Sequence, residues 1–298
     1  RDPILRDTTA IAKLDDLTDA LGREAAAFID RHRAKPWLCH LAFNAVHAPL
    51  QATDNYLARF AHIADEKRRT FAAMLSAMDD AIGTVLAQLR QHRREEDTLI
   101  FFFSDNGGPT ASITSGNGQL RGFKAQTWEG GIRVPFMVQW KGRIPAGQID
   151  DRPVIQLDVL PAALAAVGAP AKPEWKLDGV NLLPFLTGKN SAAPHEALYW
   201  RFGPQLALRL GDWKLVKAPA GGGVEGGPRE GKATTDRARL CNLKQDLGEK
   251  EDLAGKHPAK LRELAAVWEK WNAVLMAPQW LDRPEQPAAG AVGKKPGE

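Results

Sequence analysis

Apolar positions in the first hundred residues follow two different spacings. Leu17, Leu21, Ala25, Phe28 and Ile29 recur every three or four residues, and so do Phe71, Met74, Leu75, Met78, Ile82, Val85, Leu86 and Leu89. Each stripe predicts an amphipathic helix, with Thr18 or Asp19 as the candidate cap of the first. Two continuous apolar runs read differently: Trp37-Leu38-Cys39-His40-Leu41-Ala42-Phe43 follows the helix-stopping Pro36, and Thr98-Leu99-Ile100-Phe101-Phe102-Phe103 follows a charged turn at 93–97. Their length and β-forming residues predict buried strands. Strand, long helix, strand is the pattern of a parallel crossover unit, so this part of the chain is expected to be α/β. A further strand is predicted at 134–140, with Pro135 near its start, and a helix at 158–167.

Beyond a linker at 188–194 the pattern changes. Short strand candidates at 198–202, 206–210, 213–217 and 238–243 are broken by Gly, Pro and Asp, which predicts a small antiparallel sheet covered by a helix at 261–274. The glycine-rich stretch 218–232 lacks the strand and helix that flank a phosphate-binding loop and reads as a surface loop. The Pro-, Ala-, Gly- and Lys-rich stretch 284–298 reads as a disordered tail.

Composition narrows the function classes. A chain of 298 residues, at roughly 150 per domain, suggests two domains. Its 44% hydrophobic and 26% charged residues are those of a folded chain. Forty basic against 36 acidic residues leave a net charge of +4, and they intermix, as in Arg93, Arg94, Glu95, Glu96, Asp97, so no nucleic-acid patch is expected. The longest uncharged stretch, 159–171, holds Pro161 and Pro170 and is shorter than the ~20 residues of a membrane span, so none is expected. Cys39 and Cys241 have no CxxC or metal-ligand spacing and read as isolated thiols, Cys39 buried. The chain opens on Arg1-Asp2-Pro3 without an apolar secretory segment, which reads as a processed or truncated product.

Ligands of open α/β sheets sit outside the carboxyl ends of strands. Both predicted strands end in polar residues there, which places His47, Asp105 and Asn106 on one rim. A carboxylate beside a carboxamide offers hard oxygens suited to Ca²⁺ or Mg²⁺, and Gly107-Gly108 lets the chain turn away. Asp-Asn-Gly-Gly is also an ordinary turn sequence, and His47 alone also reads as a structural histidine. Lys124 reads either as a solvated lysine or, on the same rim, as a cation neutralising an anionic group.

The order and flanks of these residues resemble one family. Phe43-Asn44-Ala45-Val46-His47-Ala48-Pro49-Leu50, Ser104-Asp105-Asn106-Gly107-Gly108, Asn117-Gly118-Gln119-Leu120-Arg121-Gly122-Phe123-Lys124 and Thr127-Trp128-Glu129-Gly130-Gly131-Ile132-Arg133-Val134-Pro135 resemble segments of the sulfatases, in the alkaline-phosphatase-like superfamily. The resemblance continues through Leu157-Asp158-Val159-Leu160-Pro161, Gly211-Asp212-Trp213-Lys214-Leu215 and Cys241-Asn242-Leu243. It implies a central, mostly parallel sheet flanked by helices over 1–190 and a small α+β domain over 195–283. It also implies hydrolysis of aryl or carbohydrate sulfates, with Asp105 and Asn106 as Ca²⁺ ligands, Lys124 on the sulfate, and His47 near the sulfate and leaving oxygen. Export to the periplasm or outside is implied too.

One departure matters. The family's Cys/Ser-x-Pro-x-Arg motif, whose side chain becomes formylglycine, has no match, and neither does its N-terminal pair of metal aspartates. The resemblance therefore reads the chain as an N-terminally truncated sulfatase, inactive alone, with formylglycine in the part before residue 1. The alternatives are a non-catalytic relative that binds sulfated glycans, and a phosphodiesterase or phosphonate hydrolase of the same superfamily.

Overall fold

The computed structural model describes residues 3–11, 16–110, 113–219 and 231–276. The tail expected at 284–298 and residues 220–230 of the loop expected at 218–232 lie outside them. Two compact units emerge. The first comprises 1–118 and 133–196, and the second comprises 119–132 and 197–298.

The first unit opens with a hairpin, β1 (Leu5–Arg6) against β2 (Thr9–Ala10). Helix α1 (Leu17–His32) follows, and its cap is Asp16, two residues before Thr18 and three before Asp19: the Asp16 carboxylate accepts from Asp19 N at 3.1 Å. After α2 (Asp54–Arg59) comes the long α3 (Glu66–Gln91), capped by Asp65, whose carboxylate accepts from Arg68 N at 2.6 Å. Of the apolar stripe, Phe71, Met74 and Leu89 are buried, whereas Leu75 is exposed; Ala73, Ala77 and Ala81 complete the core face in its place. The helices α1 and α3 pack closely, because Gly22 leaves room for Ala81: a Cβ on Gly22 would lie 2.8 Å from Ala81 Cβ. By length and composition alone α3 could cross a membrane, which the sequence reading had not credited; here it packs against α1 and α2.

Strand β3 (Ile100–Phe103) forms as expected, but its partner is antiparallel: β4 (Phe136–Gln139), with Phe101 opposite Val138 and Phe103 opposite Phe136. Residues 37–43 join no ladder among the described residues, and those residues contain no parallel pair. Their side chains alternate as in a strand, with Trp37, Cys39, Leu41 and Phe43 half-buried and Leu38, His40 and Ala42 exposed. The alternation is local, whereas pairing depends on a neighbour that the run itself does not specify. Cys39 is accordingly half-buried and not buried as expected.

A helical turn leads into α5 (Val159–Ala166), which follows the four-residue α4 (Glu129–Ile132) in chain order and precedes α6 (Leu183–Leu186). Asp158 is fully buried and accepts from Ile155 N and Val180 N, both at 2.9 Å, while His195 Nε2 lies 2.9 Å from its carboxylate oxygens. It thus ties together three stretches of the unit.

The second unit is built on the meander β5 (Ala197–Phe202), β6 (Gln205–Leu210), β7 (Trp213–Lys217) and β8 (Arg239–Asn242), antiparallel throughout. Alternation along the strands gives the sheet two apolar faces. Leu206, Leu208, Leu215 and Leu240 pack under Leu264 and Trp268 of α7 (Pro258–Ala273). On the opposite face Ala207, Val216 and Cys241 pack against Trp128 and Ile132 from the segment 119–132. That segment therefore supplies a cover the sequence did not suggest for the sheet.

Candidate functional site

His47 sits on a tight turn in which its own N–H donates to Asn44 O at 2.7 Å. Its Nδ1 lies 2.6 Å from Ala48 O, so in the neutral ring Nδ1 carries the proton and Nε2 the lone pair. The ring lines a cavity of about 470 Å³ shared with Asp16, Thr18, Asn44, Gln51 and Met74. This cavity joins the start of α1, the turn and α3, so amide, hydroxyl and carboxylate groups stand beside apolar walls.

Asp105 and Asn106 follow β3 directly, Asp105 exposed and Asn106 half-buried. Ser104 Oγ donates to Asn106 O at 2.9 Å, and Ser104 N donates to Pro135 O at 3.3 Å, which holds the exit of the strand. Asn117 closes the loop: its Oδ1 accepts from Gly108 N at 3.0 Å and its Nδ2 donates to Gly108 O at 3.1 Å. Gly108 cannot carry a side chain here, since a Cβ would fall 2.5 Å from Ser115 Oγ. The residues in Ser-Asp-Asn-Gly-Gly and the distant Asn117 thus form one local unit. As donors for a hard cation, Asp105 and Asn106 fit in kind but fall short in number, for Ca²⁺ takes six to eight oxygens. Among the described residues no group of three His, Cys, Asp or Glu side chains could hold a metal.

Lys124 lies in the second unit, half-buried, within a closed loop. Gly130 N donates to Arg121 O at 2.6 Å across the base of that loop, and Gln126 N donates to Phe123 O at 3.1 Å. Gly122 has φ +80° and a Cβ there would meet Trp128 Cβ at 2.7 Å, so glycine is required on both counts. The Gln205 side chain holds the next turn, donating to Ala125 O at 2.9 Å and accepting from Thr127 N at 3.3 Å. Of the four candidates, His47, Asp105 and Asn106 belong to the first unit and Lys124 to the second.

Sequence reasoning missed a buried ionic cluster in the second unit. Lys214 Nζ lies 2.8 Å from Glu129 Oε1 and 2.8 Å from Glu249 Oε1, and all three side chains are buried, Lys214 and Glu249 completely. Glu249 Oε2 accepts from Glu129 N at 2.7 Å, and Glu249 O accepts from Arg121 at 2.8 Å. The Arg121 guanidinium lies 3.8 Å from the centre of the Trp128 ring. Burial raises the Glu249 carboxyl above its ordinary value, with the Lys214 ammonium pulling the other way. Burial also pushes the Cys241 thiol up to about 12, with Glu249 adding to the shift. One signal was legible: in the strand predicted at 213–217, Lys214 alternates onto the same face as the apolar Val216.

With the geometry in hand, comparison with known proteins decides the family. A model of the Sulfatase family matches residues 6–169, more than half of the chain. The chain belongs to the sulfatase family. Human steryl-sulfatase is 35% identical over 192 residues, 62% of this chain and 32% of that protein. The uncharacterized sulfatase YdeN of Escherichia coli (strain K12) is 33% identical over 188 residues, 62% of this sulfatase and 33% of the relative. Among solved structures, Ps i-CgsB in complex with k-i-k-neocarrahexaose gives a TM-score of 0.82 at 31% identity, covering 95% of this sulfatase and 60% of that chain. A protein of the alkaline phosphatase superfamily from Vibrio parahaemolyticus, 15% identical with a TM-score of 0.53, shares the fold. This sulfatase chain thus matches about a third of the two relatives' length and under two thirds of the CgsB chain.

Proposed function

We propose that this sulfatase chain carries the oxyanion- and metal-facing part of a sulfate ester hydrolase. Lys124 is read as binding a sulfate by charge, and His47 as a hydrogen-bond partner and proton source for the oxygen that leaves with the alcohol. Asp105 and Asn106 hold one side of a hard divalent cation, Ca²⁺ or Mg²⁺, together with further oxygen donors. When bound, such an ion neutralises charge on the sulfate oxygens. The observation that carries the reading is that the family match over 6–169 spans the positions of all four residues, whose motifs resemble the family's. A sulfated carbohydrate is the favoured substrate class, supported by the oligosaccharide complex of the 31% identical structure. Export from the cytoplasm belongs to the same reading.

No Cys/Ser-x-Pro-x-Arg sequence occurs within these 298 residues. The chain alone is therefore proposed to bind sulfate esters without turning them over, an outcome it shares with a non-catalytic glycan-binding relative. Calorimetry with a sulfated monosaccharide and Ca²⁺, beside an aryl sulfate hydrolysis assay, tests this. Saturable binding that Lys124→Ala weakens, with no hydrolysis, supports the reading. Hydrolysis by the purified chain, or binding indifferent to Lys124→Ala and His47→Ala, would sink it.

A further inference from the structure

The loop that carries Lys124 has little regular structure of its own. Its only helix, α4, has four residues. Its own side chains hold it instead, bonded to backbone carbonyls of the sheet and of the stretch just after β7. Thr127 Oγ1 lies 3.1 Å from Leu206 O and 3.3 Å from Lys217 O, and Trp128 Nε1 donates to Pro219 O at 3.1 Å. Under this layer sits the ionic cluster, and its partners come from three stretches: Glu129 from the loop, Lys214 from β7, and Glu249 from beyond β8.

A buried ionic cluster is a poor source of net stability, because removing charges from water offsets most of what their attraction gains. Its physical strength is directional. A lone ammonium enclosed between two carboxylates, in a place without water, permits few arrangements of the segments that bear them. Here the arrangement reaches both ends of the Lys124 loop. Glu249 Oε2 fixes the Glu129 amide at one end, and Glu249 O fixes the Arg121 guanidinium at the other, at 2.7 and 2.8 Å. Gly130 N to Arg121 O then closes the ring of contacts around 121–130. Close packing leaves the backbone no slack: a Cβ on Gly130 would lie 2.3 Å from Gly122 O, and one on Gly131 would lie 2.1 Å from Gln126 O.

We propose that Glu129, Lys214 and Glu249 form a positioning cluster for Lys124, fixing both ends of its loop so that the ammonium is presented to a sulfate group in one orientation. This rests on the reading of Lys124 as a sulfate contact. Lys214, although a cation near an anion-binding loop, acts through its glutamates and does not touch the ligand.

The test is a double-mutant cycle on sulfate binding, measured by calorimetry with inorganic sulfate on the whole 298-residue chain, with hydrogen exchange read in parallel. Lys124→Ala is expected to weaken sulfate binding roughly tenfold or more, the worth of one charge-assisted hydrogen bond. Lys214→Met is expected to weaken it by a similar factor while exchange quickens within 121–130. The double variant is expected to bind no more weakly than either single variant, because residues acting as one unit are not additive. A merely structural role for Lys214 would lower the unfolding temperature but leave the affinity of the folded protein unchanged. Wild-type affinity in folded Lys214→Met, or losses that multiply in the double variant, would overturn the positioning role alone. An unaltered affinity in Lys124→Ala would overturn the sulfate reading and the positioning role with it. Should Lys214→Met not fold, the triple variant Glu129→Gln, Lys214→Met, Glu249→Gln leaves no buried charge unpaired and is read in the same way.

Discussion

Two glycines in helices separate packing from backbone propensity. Gly22 in α1 faces α3, and a Cβ there would stand 2.8 Å from Ala81 Cβ, 3.0 Å from its Cα and 3.1 Å from its O. Carbon atoms rest comfortably at about 3.5–4.0 Å, so the added methyl overlaps by roughly 1 Å with atoms that no rotamer change can move. The helices must part, which costs about 1–3 kcal/mol. Alanine returns about 1 kcal/mol of helix propensity over glycine. Gly22→Ala is therefore expected to destabilise by about 1 kcal/mol. Gly83 in α3 is the control, since a Cβ there meets nothing within 4 Å. With no clash to offset the propensity, Gly83→Ala is expected to stabilise by about 1 kcal/mol. Urea unfolding of both variants, followed by tryptophan fluorescence, gives the two signs directly. If Gly22→Ala proves as stabilising as Gly83→Ala, the close crossing of α1 and α3 is wrong. The crossing also bears on the site, because Thr18 of α1 and Met74 of α3 both line the His47 cavity.

Three further predictions concern groups that are buried or half-buried. Glu249 has its carboxyl raised above its ordinary 4.5 by burial, so between that value and its folded value the native state keeps a proton that the unfolded chain has lost. Its contribution to stability is thus complete below pH 4.5 and falls as pH rises, and Glu249→Gln should flatten the stability profile on that limb; an unchanged slope would refute the assignment. Iodoacetamide should label half-buried Cys39 in the native protein and reach Cys241, whose thiol stands at about 12, only after unfolding; mass spectrometry of native Cys241 modification would count against the fold of the sheet. Asn117→Leu removes both hydrogen bonds to Gly108 and should cost about 1–3 kcal/mol in urea unfolding, with faster exchange across 104–117.

The elements most legible in the sequence are those whose pattern reports a buried face directly. The stripe from Phe71 to Leu89 maps onto α3, and the strands of the second unit appear within a residue or two of expectation, because alternation there faces a helix on one side and Trp128 on the other. Residues 37–43 show the limit: they keep the alternation without a ladder. The antiparallel pairing of β3 with β4 was equally hidden, since strand direction depends on the path taken by 104–135 and not on the apolar run. For the candidate site, the motifs indicated His47, Asp105, Asn106 and Lys124, but nothing local to them revealed the supports. Glu129 and Lys214 are 85 positions apart, and a charge in a strand reads as solvated until its partner is in view.

The second unit is discontinuous in the chain: residues 119–132 lie between two stretches of the first unit, yet they cover one face of the sheet built from 197–242. A gene cut near residue 196 would deliver that sheet with Ala207, Val216 and Cys241 bare to water and with Lys214 stripped of Glu129. The module is consequently not portable. Recombination or protein engineering that exchanges one unit for a homologue's must carry the inserted stretch with it, or it will separate the lysine-bearing loop from its foundations.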